Sequence, residues 1–164
     1  TLVSSSAASD VYKRQFETSG SGETRLMSIN TIHDVEFGVE LPVFEPDTSL
    51  ANVGAFARAV GWGGARFESH EGAREEGFPG ALVPGIMGMG FLTSAIHQWA
   101  PSGQVEHVDT VFRAPMLADT PAIISAVVTD IDEDEGIVEL DMTVKNTKDE
   151  TRVFGTAKVR LPLS

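Results

Sequence analysis

The chain has 164 residues, 41% of them hydrophobic, and no cysteine; this suits one core-forming domain and excludes disulfides, a thiolate nucleophile and a thiolate metal site. A formal net charge of -12 with no basic stripe argues against nucleic-acid binding. No apolar run reaches the roughly 18 residues that span a bilayer, so a soluble protein of a reducing cytoplasm is expected.

Residues 1–26, rich in Ser, Thr, Gly and Ala, show no apolar period and are expected to lie outside the fold. They read as upstream-frame sequence ahead of a natural start at Met27 or as a disordered arm, leaving a single domain over 27–164. From Asp34, the residues Val35, Phe37, Val39 and Leu41 alternate with Glu36, Gly38 and Glu40, which predicts a half-buried strand ended by Pro42 and Pro46. Asp47-Thr48-Ser49 is N-cap chemistry, and Leu50, Val53, Phe56, Ala57 and Val60 follow at helical spacing, so a short helix is expected over 50–60. Six glycines between Gly61 and Gly80 predict mostly loop as far as Pro84, with one helical turn around residues 73–76.

Gly85 to Trp99 reads GIMGMGFLTSAIHQW and carries no charge, so a helix here is expected to be buried on nearly every side. Gly85, Gly88 and Gly90 each cost about 1 kcal/mol of helix propensity relative to Ala. Close approach of a sheet backbone is the expected reason for them. The remainder is strand signal, over 105–113 and 122–130, then Val138 to Val144 after a turn at Asp132 to Gly136. A second turn at Asn146 to Glu150 leads to Val153 to Leu161.

One wholly apolar helix among antiparallel strands can hide its surface only if a curved sheet wraps it. That arrangement is the hot-dog architecture, an α+β fold. Its protomers are expected to pair, with substrate sites at the seam.

The block AREEGFPGALVPGIMGMGFL, Ala73 to Leu92, resembles the motif of MaoC-like dehydratases and (R)-specific enoyl-CoA hydratases. That motif runs Gly-Asp, any residue, Asn-Pro, any residue, His, then Ala-Arg, Gly-Phe and His-Gly-Met. HVDTVFRAPMLADT, from His107, resembles the family's next strand, and GTAKVRLP, from Gly155, its last one, so the resemblance covers most of residues 50–162. It implies a hot-dog protein acting on fatty acyl thioesters of coenzyme A or an acyl carrier protein, as an enoyl hydratase or 3-hydroxyacyl dehydratase without a cofactor. A negative protein opposes so anionic a carrier, and any such site needs a local cluster of Arg or Lys.

An ungapped match of Ala73, Gly77, Phe78 and Gly85 puts Trp62 where the family has its catalytic Asp and Phe67 where it has its catalytic His. Neither ring can move a proton. Pro84 takes the place of the His in His-Gly-Met. What the resemblance retains is Gly85, whose backbone N–H corresponds to the donor that polarises the thioester carbonyl. It also implies that Trp62, Phe67, Val83, Pro84 and Ile86 line the acyl site. His70, with Glu68 or Glu71, is a candidate substitute acid-base pair, against the alternative of a solvated histidine on a charged loop. GFPGALVPGI also resembles a segment of β-hydroxyacyl carrier-protein dehydratases, with Gly77 in place of their catalytic His and one residue fewer.

Arg113 is a candidate for a carrier phosphate, its alternative being a surface ion pair. His33, His97 and His107 share no metal-like spacing, and no metal is expected. No phosphate-loop Gly-Lys-Ser/Thr follows the glycines, and Asp130 to Glu135 lacks calcium-loop spacing. Two functions stand open: a divergent enzyme with an unidentified base, and a non-catalytic acyl-binding protein or silent subunit of a heterodimer whose partner supplies Asp and His.

Overall fold

The computed structural model describes residues 29–164, so the expectation for residues 1–26 lies outside the described part. Four strands, β1 (Gln104–Phe112), β2 (Ala122–Asp132), β3 (Ile137–Asn146) and β4 (Thr151–Arg160), form a curved antiparallel sheet in the order β1-β4-β3-β2. Strands β2, β3 and β4 follow one another as hairpins. By contrast, β1 lies beyond β4, so residues 113–121 carry the chain from one edge of the sheet to the other. The turns use the chemistry legible in sequence. Asp132 accepts a hydrogen bond from Glu135 N–H at 3.0 Å, and Asn146 Oδ1 accepts from the N–H groups of Lys148 and Glu150. Gly136 takes φ 69 in the first turn and Asp149 φ 61 in the second.

Cross-strand rows explain the core. Val108, Ala157, Leu140 and Val128 stand in one row, and Phe112, Val153, Val144 and Ile124 in another, all on one face. The residues of these rows on β2, β3 and β4 are buried, at roughly 1.5–3 kcal/mol for each large apolar side chain removed from water. The opposite face carries Glu139, Asp141, Thr156 and Lys158, so the alternation read from sequence sets which side faces inward.

Among the described residues, four α-helices accompany the sheet, α1 (Leu50–Ala59), α2 (Ala65–Glu68), α3 (His70–Glu75) and α4 (Gly85–Trp99), besides a short 3-10 turn at Ile32–Asp34. Ser49 caps α1, its hydroxyl accepting from Asn52 N–H at 3.3 Å. Helix α4 has the bounds expected and packs Met87, Leu92, Ala95, Ile96 and Trp99 into the core.

Four expectations need correction. Residues 35–41 form no strand. Gly38 takes φ 77 in a turn closed by Val39 N–H to Glu36 O, which throws Phe37 out at 73% exposure. The segment still covers the β2 edge, through Gly38 N–H to Val128 O and Leu41 N–H to Ala126 O. The glycine-rich stretch holds two short helices, α2 and α3, rather than one turn, because Ser69 caps α3 by accepting from Gly72 N–H at 3.1 Å. Helix α4 is not buried all round: Ile86, Gly90, Ser94 and His97 form an exposed stripe. Nor does sheet backbone press on its glycines. A Cβ at Gly85 would meet only the Phe112 ring, at 3.4 Å, and one at Gly90 would meet nothing. The close backbone approach falls at Gly155 instead, where a Cβ would sit 1.9 Å from the Asp109 carbonyl oxygen across the β1–β4 pair.

A Gly155→Ala variant is therefore expected to lose about 3 kcal/mol or more of stability, or to release β1. Gly90→Ala should be neutral or stabilising. Urea unfolding of both variants beside the parent chain checks the contrast, and an unaffected Gly155→Ala protein would show the β1–β4 pairing to be misplaced.

Candidate functional site

The start of α4 is positioned by a short backbone ladder. Leu82 N–H donates to Arg66 O at 2.8 Å, Val83 N–H to Met116 O at 2.9 Å and Ala118 N–H to Ala81 O at 2.8 Å. Pro84 follows, buried, and its carbonyl accepts from the N–H groups of Met87 and Gly88. Pro84 offers no side-chain cap, and no described residue accepts from the N–H of Gly85 or Ile86. Two backbone donors at the positive end of a 15-residue helix are thus left open to a developing negative charge.

An apolar wall stands beside them. The Phe112 ring lies 3.4 Å from the place of a Gly85 Cβ, and Met116 Sδ lies 3.6 Å from that of Gly88. Phe112 is 50% exposed. Sequence reasoning singled out its neighbour Arg113 and missed this ring, although its place within Phe-Arg-Ala-Pro was the available signal. Of the expected lining residues, Val83 and Pro84 are buried, and Ile86 stands 49% exposed beside Gly85. Trp62, 48% exposed, closes the turn after α1 by donating its N–H to Ala57 O, and Phe67 is half-buried on α2. All atoms nearest the place of a Gly85 Cβ belong to Phe112, none to Trp62, Phe67 or His70. Arg113 is exposed just past β1, its N–H bonded to Arg152 O at 2.9 Å.

His70, the candidate base, has both ring nitrogens in use. Nδ1 accepts from Ala81 N–H at 3.1 Å, which leaves the proton on Nε2, and that nitrogen contacts Asp119 Oδ2 at 2.8 Å. Its partner is Asp119 rather than Glu68 or Glu71; Glu68 pairs instead with Arg58 at 3.8 Å. Asp119 adopts φ 57, donates its own N–H to Thr48 O, and accepts from Leu50 N–H at 2.9 Å. Thr48, almost fully buried, donates its hydroxyl to Thr120 O. One imidazole and one carboxylate thereby join α1, α3, the strap before α4 and the crossover of residues 113–121. The hydrogen bond from His70 chiefly, and that from Leu50 next, hold the Asp119 carboxyl below its ordinary range. Among the described residues no cluster of three or more His, Cys, Asp or Glu could hold a metal, and no helix is long and apolar enough to cross a membrane.

Among solved structures, the (R)-hydratase from A. caviae involved in PHA biosynthesis is similar at 20% identity and a TM-score of 0.73, over 78% of this chain and 98% of that one. An R-hydratase from Pseudomonas aeruginosa gives 15% identity and a TM-score of 0.75, over 82% and 86%. The ChsH1-ChsH2 complex of Mycobacterium tuberculosis gives 17% and 0.69, over 77% and 98%. The shared feature is the hot-dog fold. No family model and no curated protein matches the sequence.

Because the Asp119 carboxyl is held low in the folded chain, its contribution is present above the ordinary carboxylate range and disappears as pH falls through the lowered value. An Asp119→Asn variant, which keeps a residue tolerant of positive φ, is expected to be less stable than the parent at neutral pH, the gap closing as the medium is acidified. Thermal melts of both proteins across that range check this. His70→Ala should cost about 1–3 kcal/mol, because the Ala81 N–H loses its acceptor.

Proposed function

We propose that this chain binds fatty acyl thioesters, of coenzyme A or an acyl carrier protein, at the start of α4. Gly85 N–H faces the thioester carbonyl, Ile86 N–H stands beside it, and Trp62, Phe67, Val83, Pro84 and Ile86 line the acyl path. The observation that carries this reading is the pair of open amides at Gly85 and Ile86 beside the apolar Phe112 ring, in a fold shared with proteins described as (R)-hydratases and MaoC-like dehydratases. Amides so placed suit an oxyanion, and the half-exposed ring gives them an apolar wall.

Addition of water to an enoyl thioester also needs a group that moves a proton. Trp62 and Phe67 supply none, and His70 Nδ1, the nitrogen that would accept a proton, already accepts from Ala81. The reading that fits is a non-catalytic acyl-binding subunit that pairs with a second hot-dog subunit carrying Asp, four residues and His. ChsH1-ChsH2, a complex of two differently named subunits, supports pairing of this kind. The edge available for it is β1, nine residues whose outer side pairs with nothing among the described residues and where Val111 and Phe112 are each half-exposed. The competing reading is a divergent enzyme working alone, with His70 freed from Ala81 to act as base. Under either reading Arg113, exposed just past β1, is the candidate for a carrier phosphate.

The purified chain is expected to bind octanoyl-CoA, with a change in the emission of half-exposed Trp62, and to leave crotonyl-CoA unhydrated. Hydration by the chain alone, abolished in His70→Ala, would establish the enzyme reading and remove the silent subunit. Absence of any acyl-thioester binding would remove both. Sedimentation at micromolar concentration should give a dimer; a monomer in the absence and presence of acyl-CoA counts against the seam.

A further inference from the structure

His70, the first residue of α3, joins two separate parts of the scaffold through one ring. Its Nδ1 accepts from Ala81 N–H at 3.1 Å, and its Nε2 contacts Asp119 Oδ2 at 2.8 Å. Only the neutral ring with its proton on Nε2 can make both bonds, because an imidazolium carries a hydrogen on each nitrogen and accepts nothing. The side chain is 31% exposed, so solvent can deliver the second proton without unfolding the chain. Imidazole is the side chain suited to take one up in mildly acidic water.

The two partners differ in their freedom to respond. Asp119 is fixed on three sides: its Oδ1 accepts from Leu50 N–H at 2.9 Å, its own N–H donates to Thr48 O at 2.8 Å, and its backbone sits at φ 57. A carboxylate so held binds a positive ring more strongly than a neutral one and keeps it. The strap, residues 79–84, is placed to lose. Ala81 is fully buried, so its N–H has no water to turn to, and a Cβ at Gly80 would lie 3.0 Å from Nδ1. A hydrogen added to Nδ1 therefore points at a donor, with backbone already against the ring. The ring stays with Asp119, and the strap gives way.

The charges around the ring favour its protonation. From the crossover comes Asp119, and from the segment before α1 comes Asp47, close enough to Asp119 for the two carboxylates to repel. Helix α2 brings Arg66 and Glu68, which pair with Glu76 at 2.6 Å and Arg58 at 3.8 Å. Helix α3 itself adds Glu71 and Arg74, one of each sign. The strap has no titratable side chain between Gly77 and Pro84.

We infer that His70 is a proton-operated latch, which in neutral solution holds residues 79–84 against the crossover and in mild acid keeps Asp119, releases Ala81 and loosens the strap. The next bonds along the strap are Leu82 N–H to Arg66 O and Val83 N–H to Met116 O, so the loosening travels through them toward Gly85. The consequence for a ligand rests on the acyl-thioester reading. The open amides of Gly85 and Ile86 lose their fixed direction, and an acyl thioester is released as the pH falls.

Amide exchange of the full chain, followed by NMR from pH about 7.5 to about 5.5 and corrected for the intrinsic pH dependence of exchange, tests the latch. Ala81, Leu82 and Val83 should lose at least about tenfold in protection in acid, while Leu140 and Met142 of β3 keep theirs. The midpoint of that loss should coincide with the midpoint of the His70 ring signals. In His70→Asn the side-chain oxygen takes the place of Nδ1 and does not titrate, so the three amides should stay equally protected throughout; His33, His97 and His107 remain in that variant. Unchanged strap amides while the ring titrates, a ring that stays neutral over the interval, or the same loss in His70→Asn would each overturn the latch. Octanoyl-N-acetylcysteamine, an uncharged acyl thioester, reads the consequence. It should bind the parent several-fold to about tenfold more weakly in acid and His70→Asn equally at both ends of the range. Equal binding to a parent whose strap has loosened would overturn the link to the site. Binding at neither pH would remove the acyl reading and leave the amides to decide the latch.

Discussion

The structure depends on one constraint: a helix without Asp, Glu, Lys or Arg must lay its apolar face on a sheet. Met87, Leu92, Ala95, Ile96 and Trp99 leave water against the inner face of the sheet, and the curve of the sheet supplies that contact. Everything functional follows from where this helix begins. Its first residues stand at the sheet end, held by the ladder from Arg66, Met116 and Ala81, and an uncapped beginning leaves amides for something other than the protein to satisfy.

Much of this was legible in the residues. The period-two rows of β3 and β4, the bounds of α4 and the cap at Ser49 came from local patterns that tertiary packing had no reason to override. The run from Val35 to Leu41 misled because alternation records only which side chains are apolar. Gly38 was free to turn the chain there, and the turn removes Phe37 from the face that Val35, Val39 and Leu41 share. The helix glycines misled for a related reason. A glycine in sequence shows that a Cβ is missing, not what lies opposite, and the clash that demands one occurs at Gly155.

The site was legible in part. Gly85, Val83, Pro84 and Ile86 follow one another in the chain, and a local motif suffices to find them together. Phe112 reaches them from the end of β1 and Met116 from just beyond it, and the bond between His70 and Asp119 spans 49 positions, distances at which pattern carries no information. The same geometry separates two roles that a histidine near a missing base invites one to merge. An imidazole whose nitrogens are both committed to the scaffold orients the strap before α4, and its worth to the protein lies in position.

The crossover of residues 113–121 has a kinetic meaning. It joins opposite edges of the sheet, and its bonds to the N-terminal half, Thr48 with Thr120 and Leu50 with Asp119, span 72 and 69 residues. Contacts so distant in sequence are slow to form, because the chain between them must be confined before they return any free energy. The β2–β3–β4 hairpins need no such wait. Among the described residues, the strap, α3 and the start of α4 are therefore later to order on folding than the hairpins and earlier to open under stress than the sheet itself.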